Sequence, residues 1–390
     1  MNTVASKVIK TGAVTVREVR TKKELRAFVD YPNRLYRDCE QYIPSFYSDD
    51  LSDWDPKKNP AFEYCDAKCF LAYKNGEIVG RIGAIISHKA NEKWGKKQMR
   101  FSQVDFVDDF EVSSALFGAV EDWAREMGCD EVHGPLGFTD LDREGLLVEG
   151  FDRKSMFITY YCHPYYLEHL TRLGYGKSVD WVENLLTVPE DGKMMEMLSK
   201  LSARSLERYG LHVARPKNRR ALKGYIKQVF ELVNIAYADL YGTVDLTDTQ
   251  IERYAKKFLP MITPDFICMV LDENDRLVAF GVVAPSMASA IKKCRGRLFP
   301  FGWMGVLRSL KKNDTIDMFL VAVHPDYQST GINSVLIDHV VRGCRKLGVK
   351  YAETGPTLEL NHKVQAQWKM FSPVQHKRRR CFIKRLETKE

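Results

Sequence analysis

Several features that would place the chain in a special class are missing from its sequence. The first 16 residues are polar and lack the apolar centre of a signal peptide, so we expect no secretory leader. No run of 18 apolar residues occurs, so we expect no membrane-spanning helix. The nine cysteines follow no disulfide framework, and no second pair accompanies Cys65 and Cys69, so we expect no disulfide scaffold and no metal. These absences predict a cytoplasmic protein with reduced thiols.

Acidic residues are the scarcer charged group, with 51 Asp and Glu against 59 Lys and Arg, a net charge of +8. This mild excess fits an anionic ligand, an anionic membrane surface or nucleic acid, although a solvated surface explains it better than nucleic acid does. The densest basic run, residues 376–380, has no interleaved aromatic residues, which argues against a platform for single-stranded nucleic acid. We therefore expect no nucleic-acid partner.

The chain is long enough for two domains, and its 45% hydrophobic content supports packed cores. One order of elements occurs twice: a hairpin, a strand, a helix, a strand, a helix and a strand. The first hairpin turns at Asn75-Gly76, the strongest short signal for a hairpin. The second turns at residues 272–275. The sequence therefore predicts two copies of one α/β (α+β) fold, with domains at 1–190 and 223–390 and a connection with a charged helix at 191–222.

The spacing of the two copies predicts an insertion in the second. The second hairpin strands begin at Ile78 and Leu277, an offset of 199, whereas the glycines that close the main helices, Gly128 and Gly348, are 220 apart. The 21 extra residues fall between positions 285 and 314. Segment 286–312 mixes large apolar residues with seven Lys and Arg and no acid. It could lie on an anionic membrane, line a long apolar substrate groove, or pack on its own domain with its lysines solvated.

Residues 318–333 predict a buried strand, a tight loop and the start of a helix. Pro325 stops the strand, and apolar residues at helical spacing follow from Ile332 to Leu347. A loop at a helix N-terminus turns unpaired N–H groups outward, and Gly331 lets a ligand approach the backbone. The loop 328–333 is therefore either a phosphate site or an ordinary strand-to-helix turn.

This stretch resembles the acyl-CoA-binding motif of the GCN5-related N-acetyltransferase (GNAT) family, Arg/Gln-x-x-Gly-x-Gly/Ala. Here the motif is Gln328-Ser329-Thr330-Gly331-Ile332-Asn333, with Asn333 in place of the last small residue. The later family segment, Asn-x-x-Ala-x-x-x-Tyr, is similar to residues 361–368, which end in Trp368. The pairing of both halves, with residues 145–152 and 300–303, resembles a group of bacterial tandem GNAT-like proteins.

The resemblance implies that each half is a mixed, mostly antiparallel sheet flanked by helices, and that acyl-CoA lies in a split of the second sheet. The expected CoA-binding residues are Leu320, Val321 and Val323 on the strand, Gln328, Ser329, Thr330, Gly331, Ile332 and Asn333 in the loop, and Asn361. The matching loop of the first half, residues 107–114, has three carboxylates and no glycine. Carboxylates there would repel a pyrophosphate, so we expect the first half to have lost the cofactor.

Acyl transfer to an amine needs a base for the amine proton and an acid for the leaving thiolate. Glu353, at the end of the strand that forms the other wall of the split, is the candidate base; otherwise it is a surface glutamate. Trp368 stands at the position where the family often uses a Tyr as general acid. An indole cannot supply a proton to the leaving thiolate. Tyr237 or Tyr241 could replace it, line the acceptor site, or simply pack with a solvated hydroxyl.

The expected function is an acyl-CoA-dependent N-acyltransferase, with acetyl-CoA as the default donor and an unidentified amine as acceptor. One alternative is transfer of a longer acyl chain to a lipid-like amine at a membrane surface, with peripheral contact through 286–312. Another is a non-catalytic CoA-binding or interaction protein. Acceptor loops vary freely on a constant scaffold, so the sequence leaves open the acceptor, the acyl chain length and whether a homodimer forms.

Overall fold

The computed structural model describes residues 13–214, 216 and 218–387. The elements of the first half, in chain order, are β1 (Thr15–Glu18), α1 (Lys22–Leu35), α2 (Tyr47–Asp53), β2 (Cys65–Lys74), β3 (Glu77–Ser87), α3 (His88–Trp94), β4 (Gln98–Phe106), α4 (Phe110–Glu126), β5 (Glu131–Gly134), β6 (Leu146–Glu149), α5 (Tyr165–Arg172) and β7 (Gly176–Thr187).

The second half begins with the long helix α6. Its elements, in chain order, are α6 (Gly192–Arg208), β8 (His212–Val213), α7 (Arg219–Leu222), α8 (Ile226–Ala236), α9 (Asp248–Phe258), β9 (Ile267–Leu271), β10 (Leu277–Pro285), α10 (Ala288–Lys293), α11 (Gly302–Ser309), β11 (Thr315–Val323), α12 (Asn333–Leu347), β12 (Tyr351–Thr354), β13 (Thr357–Leu358), α13 (His362–Gln367) and β14 (Val374–Arg385).

Local chemistry explains where several elements begin and end. The β2–β3 hairpin turns at Asn75 and Gly76, whose φ angles of 53° and 82° are those of a type I′ turn. The main helices of the two halves, α4 and α12, are followed by Gly128 and Gly348, both with positive φ. The predicted hairpins and helix ends are therefore confirmed.

The described strands form one fourteen-stranded mixed sheet. Twelve strands follow the order β1-β2-β3-β4-β5-β14-β7-β12-β11-β10-β9-β8, while β6 pairs with β14 and β13 pairs with β7 beside this path. Helices flank this sheet, which confirms the predicted fold class. The two centre strands are exchanged between the halves. The last strand of the chain, β14, pairs with β5 of the first half, whereas β7 pairs with β12 of the second half. Each half therefore completes the sheet of the other.

The predicted insertion corresponds to two short helices. The first half connects β3 to β4 through the single helix α3, and the second half connects β10 to β11 through α10 and α11. The buried residues of α10 and α11 form an apolar cluster with Phe46 and Phe157 of the first half. The insertion therefore packs across both halves.

The basic run 376–380 lies inside β14, and acidic side chains pair with most of its charges. Lys377 and Arg379 are fully buried and pair with Glu183. Arg378 and Arg380 pair with Asp180 at 3.3 and 2.8 Å. Lys377 and Arg379 need these partners because an unpaired charge inside a protein is costly, whereas Arg378 and Arg380 keep partial contact with water.

Candidate functional site

The sheet splits between β11 and β12. These strands pair in parallel only from Thr315 with Tyr351 to Met318 with Thr354, where β12 ends. β11 continues to Val323, and a register shift against β10 leaves Phe319 without an opposite residue. Such a bulge bends a strand and increases its twist. The two strands therefore part beyond Met318, which is the split that the family resemblance implies.

A cavity of about 260 Å³ occupies the split, and most of its wall is apolar. On one face of the sheet it is lined by α12 and α13, including Ile337, Val340 and Trp368. On the other face it is lined by Tyr237 at the end of α8 and by Tyr241 in the following loop. The cavity therefore passes through the sheet and links its two faces.

The loop before α12 has the features of an anion site. Ser329 and Gly331 both have positive φ. Among the described residues, no protein acceptor bonds the backbone N–H groups of residues 329–333. Free N–H groups and the helix dipole together attract an anion. A Cβ atom on Gly331 would lie 2.9 Å from Ser205 Oγ of α6, so a larger residue would have little room. The residues present therefore fit the pyrophosphate of CoA.

The expected CoA-binding residues divide into two groups. Leu320, Val321, Asn333 and Asn361 line the cavity. Those outside its lining are Val323 and the loop residues Gln328, Ser329, Thr330, Gly331 and Ile332, which precede α12. The Asn361 side chain also caps α13 by accepting the Val364 N–H at 3.3 Å. The loop 328–333, called the phosphate cradle below, therefore lies at the start of α12, and the apolar cavity extends along the split of the sheet.

Trp368 presents an unused hydrogen-bond donor to the site. Its side chain lines the cavity and is buried, and its Nε1 has no acceptor within the described residues. A buried N–H group without a partner costs free energy, so this donor marks a place where water or a ligand could bind. Indole cannot act as a general acid at this position, but its N–H group remains available as a hydrogen-bond donor.

Glu353, the expected base, lies on the face of β12 that is turned away from the cavity. Its neighbours Ala352 and Thr354 line the cavity, and strand alternation directs Glu353 to the opposite face. There its carboxylate pairs with Lys377. Its role as a base stays a prediction, and the geometry gives it a structural partner.

Glu183, Glu353 and His376 lie close enough together to resemble a cluster of metal ligands. The ammonium group of Lys377 pairs with both glutamates. A cation therefore already balances these carboxylates, and we assign no metal to the cluster.

The two candidate tyrosines line the cavity with their hydroxyl groups engaged. Tyr241 Oη bonds Ser178 Oγ at 2.8 Å and His133 Nδ1 at 3.2 Å. Burial lowers the pKa of His133 to about 3, so this imidazole is neutral. Tyr237 Oη donates to the Val321 carbonyl at 2.9 Å, and burial raises its pKa to about 12. Both tyrosines therefore hold the wall of the site, and the catalytic role of Tyr241 stays a prediction.

Two carboxyl groups in the cavity wall were missed by the sequence analysis. Asp140 and Glu144 belong to the first-half loop between β5 and β6, and they face the split of the second half. Burial raises the pKa of Asp140 to about 6. Burial and then the nearby Asp140 hold the pKa of Glu144 well above its usual range. Two carboxyl groups whose pKa values are raised by burial in one cavity are candidates for a base and an acid.

Neither carboxyl group has a side-chain partner among the described residues that would give it a structural role. Among the described side chains, none donates a hydrogen bond to Asp140 or Glu144, and neither forms an ion pair. The nearby Asp142, in contrast, accepts the Phe138 N–H and the Tyr254 hydroxyl. The signal available in the sequence was three acids at alternate positions in a glycine-containing loop. Only the fold shows that two of the three face the cavity.

A second apolar cavity, of about 240 Å³, adjoins the first on the α8 face of the sheet. Its wall comes from α8, α9 and the strands β9 to β11, and includes Val229, Phe258 and Met269. The two cavities share wall residues, which are Asp140, Glu144, Trp181, Tyr237, Val282, Phe319, Leu320 and Pro356. The carboxyl pair therefore lies where the two apolar spaces meet.

The matching loop of the first half uses its carboxylates within the fold. Asp109 caps α4 and pairs with Lys74 at 2.6 Å, and Asp108 bonds His169 at 3.0 Å. These anions occupy the helix start where a phosphate would lie. The loss of the cofactor from this half stays a prediction, which the geometry favours.

Part of the second half of the chain matches a known protein family. Residues 226–370 match the model of the Acetyltransferase (GNAT) family. The chain is 28% identical to Protein YghO of Escherichia coli K12 over 95% of both chains, and 29% identical to the bacterial ceramide synthase of Caulobacter vibrioides over 76% of this chain and 77% of that protein.

The fold is similar to that of a solved tandem GNAT protein from the clavulanic acid biosynthesis pathway. The TM-score is 0.57 with 11% identity, and the match covers 97% of this chain and all of the other. The split between β11 and β12 and the loop 328–333 both lie within the residues that match the family model. Residues 226–370 thus match the GNAT acetyltransferase family, and the chain as a whole has the fold of the solved tandem GNAT protein.

Proposed function

We propose that this acyltransferase moves a long acyl chain from acyl-CoA to the amine of a lipid-like acceptor. The observation that carries the proposal is the meeting of two apolar cavities at Asp140 and Glu144, beside the CoA motif. Together the cavities offer about 500 Å³, which is within the usual range for a small-molecule site. A small polar amine and an acetyl group would leave most of this apolar surface unfilled.

In this proposal, each cavity holds one of the two substrates. The first cavity is lined by Leu320, Val321, Asn333 and Asn361, which are among the residues expected to hold CoA, so it receives the donor. The second cavity lies on the α8 face and reaches the first at Tyr237 and Phe319, so it receives the hydrocarbon chain of the acceptor. A relative named bacterial ceramide synthase supports this assignment, since a ceramide is a lipid amide.

The carboxyl pair supplies the proton transfers. Asp140, with a pKa of about 6, is ionised at neutral pH and accepts the proton of the amine as its nitrogen attacks the thioester carbon. The C–N bond forms and the C–S bond breaks. Burial favours the protonated form of Glu144, which gives its proton to the departing thiolate. Asp140 ends protonated and Glu144 ionised, and transfer of one proton between them restores the starting state.

Release of free CoA thiol from the purified full chain tests this proposal. The donors are acetyl-, octanoyl- and palmitoyl-CoA, and each is paired with a long-chain amino alcohol and with a short water-soluble amine. We expect the highest kcat/KM for the pair with two long chains, because both cavities are then filled. Preference for acetyl-CoA with the short amine would contradict the proposal. CoA binding without turnover of any pair would show a non-catalytic protein.

A further inference from the structure

The basic insertion, defined here as residues 286–312, exposes a cluster of large apolar side chains. Phe299 and Phe301 are 83% and 75% exposed, and Trp303 is 44% exposed. Met304 and Leu307 are also exposed. Single exposed apolar residues are common on proteins, but contiguous ones mark a surface that contacts another phase or partner.

The insertion is held in place by its other face. Met287 and Ile291 at α10, and Val306 and Leu310 at α11, are buried in one apolar cluster. In α11 and at its end, Val306 and Leu310 are four residues apart, and so are the exposed Trp303 and Leu307. The helix therefore lies on the protein with one face down and presents its aromatic face outward.

The charges of the insertion are all positive and mostly unpaired. Arg297 pairs with Asp30 at 2.8 Å, and Lys292 donates to the Cys39 carbonyl at 2.6 Å. The five other basic residues are exposed and have no ion-pair partner among the described residues; they are Lys293, Arg295, Arg308, Lys311 and Lys312. No acid lies within the insertion. Its surface is therefore complementary to an anionic partner.

The insertion lies beside the second cavity. Ile158, Met261 and Phe319 pack against the buried cluster of the insertion and also line that cavity. No described helix is long and apolar enough to cross a membrane. A surface that joins exposed aromatic side chains to unpaired basic residues is the type that lies at a lipid interface.

We propose that the basic insertion docks the protein on an anionic lipid bilayer, with Phe299, Phe301 and Trp303 in the interface and the basic side chains at the lipid phosphates. The second cavity then lies close to the bilayer, where an apolar acceptor would be dissolved. Docking itself does not depend on the proposed chemistry, so it is measured without donor or acceptor.

Flotation of the full chain tests the docking surface. One set of vesicles contains phosphatidylcholine alone, and the other contains equal amounts of phosphatidylcholine and phosphatidylglycerol. We expect the wild type to float with the anionic vesicles, and the bound fraction to fall as salt is added. The combined variant Phe299→Ser, Phe301→Ser and Trp303→Ser is expected to lose roughly tenfold or more in vesicle affinity.

Two further variants separate the contributions. Arg295→Gln, Arg308→Gln and Lys311→Gln together are expected to reduce binding to the anionic vesicles and to weaken its dependence on salt. Met197→Gln with Leu201→Gln removes exposed apolar side chains from α6 and is expected to bind as the wild type does. The unfolding midpoints of all variants show whether the fold is intact.

Wild type that stays in solution with the anionic vesicles would overturn the proposal. Full binding by the folded aromatic variant would do the same. If the wild type fails to bind vesicles and instead forms a dimer that the aromatic variant loses, the surface contacts a second copy of the chain and the lipid proposal is rejected.

Discussion

Lys377 Nζ lies 2.9 Å from Glu183 Oε2, and both side chains are fully buried. The two residues belong to β14 and β7, the centre strands that the halves exchange. Arg379 pairs with the same glutamate, and Lys377 also pairs with Glu353. Burial alone would raise the pKa of Glu183, but Arg379 and Lys377 lower it to about 2. This buried ion network joins the two halves of the molecule.

Replacement of Lys377 by Met is expected to destabilise the protein strongly. The change leaves Glu353 without its cation and Glu183 with only one, and loss of one partner from a buried network costs about 3–5 kcal/mol. Urea unfolding of the two proteins measures the difference. Lys312→Met, at an exposed lysine without a partner, is the matched control and should stay within about 0.5 kcal/mol of the wild type. Equal midpoints for Lys377→Met and the wild type would show that the network contributes little.

Asp317 is expected to make stability fall as pH rises. It lies opposite Glu353 in the paired strands, and burial and then Glu353 raise its pKa from 3.8 to about 8. The folded state therefore holds this proton more tightly than the unfolded state does. The resulting stability is complete below about pH 3.8 and is lost as pH rises through about 8. Asp317→Asn cannot ionise, so its unfolding midpoint should change less than that of the wild type between neutral pH and pH 8. Parallel curves would contradict the prediction.

Asp140 is expected to control turnover without supporting the fold. Asp140→Asn removes the proposed base and should lower kcat/KM by about 10²–10⁴. In the wild type, kcat/KM should rise as pH increases through about 6, because the base must be ionised. The control is Glu149→Gln, which changes an exposed carboxylate at the end of β6 outside both cavities. Unchanged turnover by folded Asp140→Asn would exclude the residue as the base.

Gly331→Glu is expected to weaken CoA binding. The new side chain would meet Ser205, would require a positive φ, and would place a negative charge at the phosphate cradle. The strain of roughly 1–2 kcal/mol favours a changed loop conformation, and the added carboxylate repels the pyrophosphate. We therefore expect roughly tenfold or more weaker affinity by calorimetry. Gly118→Glu on α4 is the control, because a Cβ atom there meets open space. Retained affinity in Gly331→Glu would disprove the assigned loop.

Val229→Phe is expected to shift the preference of the enzyme toward amine acceptors with shorter chains. Val229 lines the second cavity from α8, and a larger side chain there reduces its volume. We expect kcat/KM to fall for a long-chain amine and to stay near the wild-type value for a short one. Lys227→Phe, on the exposed side of the same helix, controls for the added aromatic ring. An equal loss for both amines would show that the second cavity does not hold the acceptor chain.

The sequence by itself determined the features that depend on neighbours along the chain. The Asn75-Gly76 turn, the glycines after α4 and α12, and the loop 328–333 each depend on backbone preferences within a few residues. The repeated order of these local signals was enough to predict two copies of one fold. The position of the insertion could also be predicted, because the residue offset between matching elements of the two copies is read directly from the sequence.

The tertiary structure alone decided which half each centre strand joins. β7 and β14 both read as closing strands, and nothing local distinguishes pairing with one half from pairing with the other. The same pairing buries Lys377 and Arg379, which the sequence presents as part of a basic run. The fold also brings Asp140 and Glu144 into one cavity wall with Leu320 and Val321, which lie far away along the chain. Such placements follow from long-range pairing and shared burial, which no short stretch of sequence encodes.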